Sequence, residues 1–175
     1  DERYAFFEVP RKLDGVAVSI VARATDESLE RNCRRFAAGL GLSGVFHFDL
    51  LQDTASGQVY FLEANGRLGG TTGKVLALGW DEPASLPYVH GAICADLPPA
   101  DLHPGALAYN AQAALKFLLR SMRGALTTLD HPDASSFEAA TSLLRMLVIG
   151  RDEVDIWRAP RWALAFHAQR LQRQA

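Results

Sequence analysis

An α+β fold, with a mainly antiparallel sheet and helices on one face, is predicted by three features of the 175-residue sequence. Runs rich in β-branched and aromatic residues come in two pairs, YAFFEV (4–9) with GVAVSIVARA (15–24), then GVFHFDLL (44–51) with QVYFLEAN (58–65). A single amphipathic helical pattern stands between the pairs, giving the order ββαββ. Helix-favouring stretches dominate the remainder, so helices should gather over one side of the sheet.

Each element has its own signals. PRKLDG supplies Pro, Asp and Gly for a turn between the first two strands. From Thr25, the residues Leu29, Cys33, Phe36, Ala37 and Leu40 recur at helical spacing. Thr25 or Asp26 can cap that helix, Glu27 and Glu30 suit its positive end, and Gly39 and Gly41 offer the stop. QDTASG favours a turn between the second pair of strands. Beyond Gly70 the pattern loosens, and the proline-rich DLPPADLHPG (96–105) leads to predicted helices over 106–123 and 136–148 and a helical tail from Trp162. The chain thus divides into a core (1–95) and a helical extension (96–175), the latter expected to cover the sheet or to serve homodimerisation.

Composition narrows the function classes. A hydrophobic content of 49% supports a sizeable core, and a net charge of -2 gives no broad footprint for nucleic acid or an anionic membrane. Cys33 and Cys94 form no CxxC pair and have no histidine cluster beside them, which argues against a zinc site and for a reducing compartment. No apolar run is long enough for a membrane helix, and the N-terminus lacks the order of a signal peptide. A soluble, cytoplasmic protein is expected, without nucleic-acid or membrane partners. Because the chain starts at Asp1 on a segment that soon reads as a strand, it is expected to be a domain of something longer.

The chemistry concentrates in VYFLEANGRLGG (59–70). Regular alternation puts Val59, Phe61, Glu63 and Asn65 on one side of the strand, and Tyr60, Leu62 and Ala64 on the other. On the preceding strand Val45, His47, Asp49 and Leu51 share a face. A five-residue turn over 53–57 pairs Gln52 with Gln58, Asp49 with Phe61 and His47 with Glu63, leaving Asp49 diagonal to Glu63 at roughly 7 to 8 Å between backbones. Two carboxylates this close repel or share a proton unless a cation neutralises them. Oxygen donors without histidine or thiolate suit Mg²⁺ or Mn²⁺, and Arg67 could hold a phosphoryl group bidentately. The plainer alternative is that Asp49 and Glu63 are solvated or paired with basic side chains, as acids near strand ends usually are.

Asp49, a gap of thirteen residues and EANGRLGG together resemble the C-terminal signature of the ATP-grasp superfamily, in which an acid or amide on one strand is followed by a strand ending Glu-x-Asn-x-Arg. GLSGVFHFD also looks like that family's helix-to-strand approach, and the likeness covers roughly residues 4–80. The resemblance implies that Asp49 and Glu63 bind magnesium, that Glu63 bridges two ions, and that Asn65 binds one of them. It implies contact of Arg67 with the transferred phosphate, and a loop from Leu68 to Thr72 bordering the acceptor carboxylate. The family commonly has Pro where this chain has Gly66. Its nucleotide-binding lysines and adenine pocket lie largely upstream, so the implied partners include missing upstream ATP-grasp segments as well as small-molecule carboxylate and amine substrates. The implied activity is ATP-dependent ligation through an acyl phosphate, with ATP and Mg²⁺ (or Mn²⁺) as cofactors and little activity in this portion alone. The competing reading is a non-catalytic binding module that keeps the fold and uses its helical half as the contact surface.

Other motifs carry less. GRLGGTTGKV fails as a phosphate loop because Leu68 stands where GxxxxGK needs Gly and Val75 where Ser or Thr should follow Lys74; glycines permitting a tight turn are the simpler explanation. His47 could support the acids or act as a base, although a strand histidine satisfied by a neighbour is commoner. His90, His103, His131 and His167 show no ligand spacing, and Ser43 and Ser56 lack a nucleophile-elbow setting. The arginine-rich tail from Arg161 has no clean apolar stripe and reads as a helix packed on the body rather than a membrane-surface segment.

Overall fold

The computed structural model describes residues 2–91, 102–127, 130 and 135–154. The expected helix from Trp162 and most of the 96–105 connector lie outside the described residues.

The first hairpin joins β1 (Phe7–Leu13) to β2 (Val16–Ala22) through Asp14 and Gly15 alone, at φ 51° and 76°. Two successive left-handed residues give the turn that suits the twist of paired strands, and Asp-Gly is among the sequences that adopt it most readily. PRKLDG is therefore mostly strand, and only its last two residues turn. Pro10 is tolerated because β1 is the sheet's edge and the pairing slips between Glu8 and Arg11, where no amide donor is needed.

Helix α1 (Glu27–Leu40) starts at Asp26, whose Oδ1 accepts from the amides of Ser28 and Leu29 at 2.9 and 3.0 Å. It ends at Gly41, in the left-handed conformation with φ 64°. Then come β3 (His47–Gln52) and β4 (Val59–Asn65), an antiparallel pair that forms a two-stranded sheet of its own. Two short helices, α2 (Thr72–Ala77) and α3 (Glu82–Val89), occupy the stretch that showed no clear pattern in the sequence.

Strand β5 (Leu107–Tyr109) corrects the expectation of helix across 106–123, and helix begins only at α4 (Ala111–Met122). Asn110 separates the two: its side chain accepts from the Ala113 amide at 2.7 Å and caps α4. The helix α5 (Ser136–Ile149), opened by a capping box between Ser135 and Glu138, agrees with the expectation and leads into β6 (Arg151–Asp152).

The architecture is α+β, with a sheet ordered β1-β2-β5-β6 and the separate β3-β4 ribbon. β5 pairs antiparallel with β2 and parallel with β6, so the larger sheet is mixed and draws strands from both sides of residues 95 and 96. The expectation of helices on one face is also corrected. Leu107 and Tyr109 join a cluster with Phe117 of α4 and Met146 of α5, whereas Ala108 joins Val75 and Leu78 around α2. Successive strand residues point to opposite faces, so helices cover both. Among the described residues, no helix is long and apolar enough to cross a membrane.

Asp130 ties the hairpin turn to the segment after α4. Its fully buried carboxylate accepts from the Asp14 amide and from the amide and hydroxyl of Thr127, at 3.0 and 2.8 Å for the latter two. Burial works against its charge, but those bonds and the Arg120 guanidinium outweigh it and hold the carboxyl below its usual range. Asp130→Ala leaves these donors without their acceptor and is expected to cost about 3 kcal/mol. With a folded-state pKa below the unfolded value of about 3.9, the stabilisation is complete above that value and is lost as pH falls through the folded pKa. Chemical denaturation across pH 2 to 6 should therefore show a flatter acid limb for Asp130→Asn than for the parent; parallel limbs would contradict the assignment.

Candidate functional site

The site is built on the ribbon, and its geometry depends on one irregularity. Gln52 pairs with Val59, Leu51 with Tyr60 and Leu50 with Phe61, but the next pair is Asp49 with Glu63. Leu62 is the extra residue of a β-bulge in β4. The expected pairs of Asp49 with Phe61 and His47 with Glu63 are thus corrected: Asp49 faces Glu63 directly and His47 faces Asn65.

The bulge also divides the side chains differently from regular alternation. Phe61, paired with Leu50, lies on the face of Phe48, not with Glu63. There its ring stacks on Phe36 of α1, with centroids 4.5 Å apart and planes 7° from parallel, and meets the Phe48 ring edge at 5.3 Å. One face of the ribbon is consequently an aromatic contact with α1. The other carries His47, Asp49, Glu63 and Asn65.

On that polar face the two acids behave as a pair. Asp49 is held above the ordinary carboxyl range by desolvation first, then by its hydrogen bond with Glu63 and by the Glu63 charge. Glu63 is held below its usual value by the Asn65 amide first, which donates from Nδ2 to Oε1 at 2.9 Å, and then by Asp49. The two carboxyls are thus shifted in opposite directions, as expected of acids close enough to interact, and Asp49 is the one that keeps its proton to higher pH. Because Asn65 donates through Nδ2, its Oδ1 is the atom left for a cation.

Arg67 is not placed by strand alternation, because β4 ends at Asn65. Its exposed guanidinium donates to the Leu68 carbonyl at 3.3 Å, yet its charge still helps to lower both Glu63 and His47. Among the described residues, no three His, Cys, Asp or Glu side chains cluster to hold a metal ion. A cation here would rest on two carboxylates and an amide oxygen, with other oxygens supplied by water or a ligand. That donor set suits Mg²⁺ and Mn²⁺, which retain part of their hydration shell.

His47 has a carboxylate neighbour at ion-pair distance, although its Nε2 does not reach hydrogen-bond geometry with it. Its Nε2 lies 2.9 Å from Oε1 of Glu82, the first residue of α3, and this contact outweighs desolvation to raise the histidine pKa. The other Glu82 oxygen accepts from the Thr72 hydroxyl at 2.7 Å. On the other side of the ring, a Cβ at Gly69 would fall 2.6 Å from Nδ1. Glycine is required there by close approach to His47, and none of Gly66, Gly69 and Gly70 needs a left-handed backbone. The expected turn is present, closed by the Thr72 amide on the Gly69 carbonyl at 3.2 Å, and close packing at Gly69 is the further demand on these glycines.

Lys74, unsuited to a phosphate loop by its flanks, is buried in α2 with Nζ 2.7 Å from Oε2 of Glu153. Asn110 donates to the other Glu153 oxygen, so this carboxylate links α2 to the cap of α4. Sequence reasoning missed the roles of Glu82 and Glu153. Glu82 shows only as an acid in a helix's first turn, and nothing local to either residue signals its distant partner.

Comparison of the chain with family models, curated proteins and solved structures gives no match.

Glu63→Gln removes the neighbouring charge that helps to raise Asp49. Carboxyl NMR titration should show the Asp49 pKa falling toward the ordinary range in that variant, while desolvation keeps part of the elevation. A pKa that stays put would contradict direct pairing.

Proposed function

We propose that this chain is the C-terminal portion of an ATP-grasp carboxylate-amine ligase, with Asp49, Glu63 and Asn65 holding Mg²⁺ and Arg67 meeting the transferred phosphate. The observation that carries the reading is the direct pairing of Asp49 with Glu63, with Asn65 hydrogen-bonded to Glu63 on the same face. Two facing carboxylates are a natural seat for a divalent ion, which relieves their mutual repulsion.

In the proposed reaction a carboxylate oxygen of the substrate attacks the γ-phosphorus of ATP and ADP leaves. An amine then attacks the acyl carbon and expels phosphate. Bound Mg²⁺ would offset charge on the phosphates and favour an in-line geometry. Asn65 orients Glu63 through its amide, and Arg67 adds a guanidinium that can bind phosphate oxygens through paired N–H groups. The segment from Leu68 to Thr72 borders the acceptor. Upstream ATP-grasp segments would complete the nucleotide pocket.

The second reading, a non-catalytic interaction module, draws on exposed apolar side chains of the later helices, including Leu115, Leu119 and Met122 on α4 and Leu144, Leu147 and Val148 on α5. Turnover separates the two. In the full natural protein, Glu63→Gln should reduce Mg²⁺-dependent ATP consumption at least a hundredfold, on the order of the cost of losing one electrostatic contact to a transition state, while the circular dichroism spectrum is unchanged. Undiminished turnover would remove the site, and a parent protein that consumes no ATP with any carboxylate and amine would favour the interaction module.

A further inference from the structure

We propose that His47 and Glu82 are positioning residues, which fix the segment from Gly69 to Thr72 relative to the Asp49–Glu63 pair so that an acceptor carboxylate meets the cation in one geometry. This inference rests on the proposed function, because it takes that segment as the acceptor's border.

The segment is tethered at both ends through one buried carboxylate. At its start, the Gly69 backbone lies against the His47 ring, so close that a Cβ would sit 2.6 Å from Nδ1 and 2.8 Å from Cε1. At its end, the Thr72 hydroxyl donates to Oε2 of Glu82 at 2.7 Å. Glu82 joins the tethers, since its Oε1 meets His47 Nε2 at 2.9 Å.

Both oxygens are thus committed, on a side chain only 8% exposed. A buried carboxylate is costly unless its oxygens find partners, so Glu82 holds both contacts or gives up its own solvation for nothing. His47 in turn belongs to the ribbon: it pairs with Asn65 and stands two positions from Asp49 on the same face. A displacement of the ribbon's polar face is therefore passed through one ring to the segment, and Gly70 and Thr71 are presented between two fixed points.

The test uses the full natural protein, isotope-labelled, with and without Mn²⁺ as the only added probe. Without metal, nuclear Overhauser contacts between the His47 ring and the Gly69 α-protons should be strong in the parent and lost in Glu82→Ala. Thr72→Val, which spares the buried carboxylate, should keep the His47–Gly69 contacts and free only the far end. With Mn²⁺, paramagnetic relaxation should reach the amides of Asn65 and Gly70 in the parent, should fall at Gly70 relative to Asn65 in Glu82→Ala, and should fall at Thr71 in Thr72→Val. Contacts and broadening unchanged in both variants would overturn the tether while leaving the cation site intact. Absence of broadening at Asn65 in the parent would overturn the functional reading itself, and this inference with it.

Discussion

One extra residue in β4 organises the polar half of this protein. Without the bulge at Leu62, the same strand would have to satisfy two incompatible demands, since Phe61 and Glu63 are separated by two positions and would share a face. The aromatic ring stacks on Phe36, and the carboxylate needs water or a cation. The bulge sends Phe61 to the helix and Glu63 to the opposite side, opposite Asp49. Sheet irregularities of this kind re-aim a side chain at the cost of one unpaired residue, and here that residue, Leu62, is 61% exposed.

Around this ribbon, buried and half-buried acids tie together segments distant in sequence. Asp130 connects the Asp14 turn to the end of α4, Glu153 connects Lys74 of α2 to Asn110, and Glu82 connects the β3 histidine to Thr72. Each carboxylate has partners on both oxygens, which is the condition under which buried charge is tolerated. The Asp49–Glu63 pair differs: the two acids face each other across the ribbon, and Lys12 and His47 reach Asp49 only as weaker electrostatic influences. That difference sets the pair apart from the structural acids and makes it the place where a divalent ion would change the energetics most.

Much of this was legible in the sequence where signals are local. Asp26 and Gly41 mark the ends of α1 and Asp-Gly makes the first turn; both hairpins were expected, although the first strand runs on through Leu13 into the residues read as turn. The candidate residues on the ribbon were singled out by type, spacing and the family resemblance, but their register was not. An insertion of one residue leaves no mark on composition, and Leu62 reads as an ordinary member of an alternating strand. β5 was hidden for a different reason: Leu107–Tyr109 is a three-residue apolar run continuous with a good helical pattern, and only its pairing with β2 makes it a strand. The mixed order of the larger sheet and the contacts of Glu82 and Glu153 are tertiary facts, dependent on partners as far as 79 positions away in the case of Lys74 and Glu153.

Deletion of Leu62 probes the bulge most directly. Removing one residue from a regular strand exchanges the two faces beyond the deletion, whereas removing the extra residue of a bulge restores an unbroken ladder with every pairing kept. Carboxyl NMR titration of the deletion variant should then find Asp49 still above the ordinary range and still coupled to Glu63. An Asp49 that titrates as an isolated carboxylate would show that Glu63 had turned to the other face, and that the two acids were never aligned by a bulge at this position.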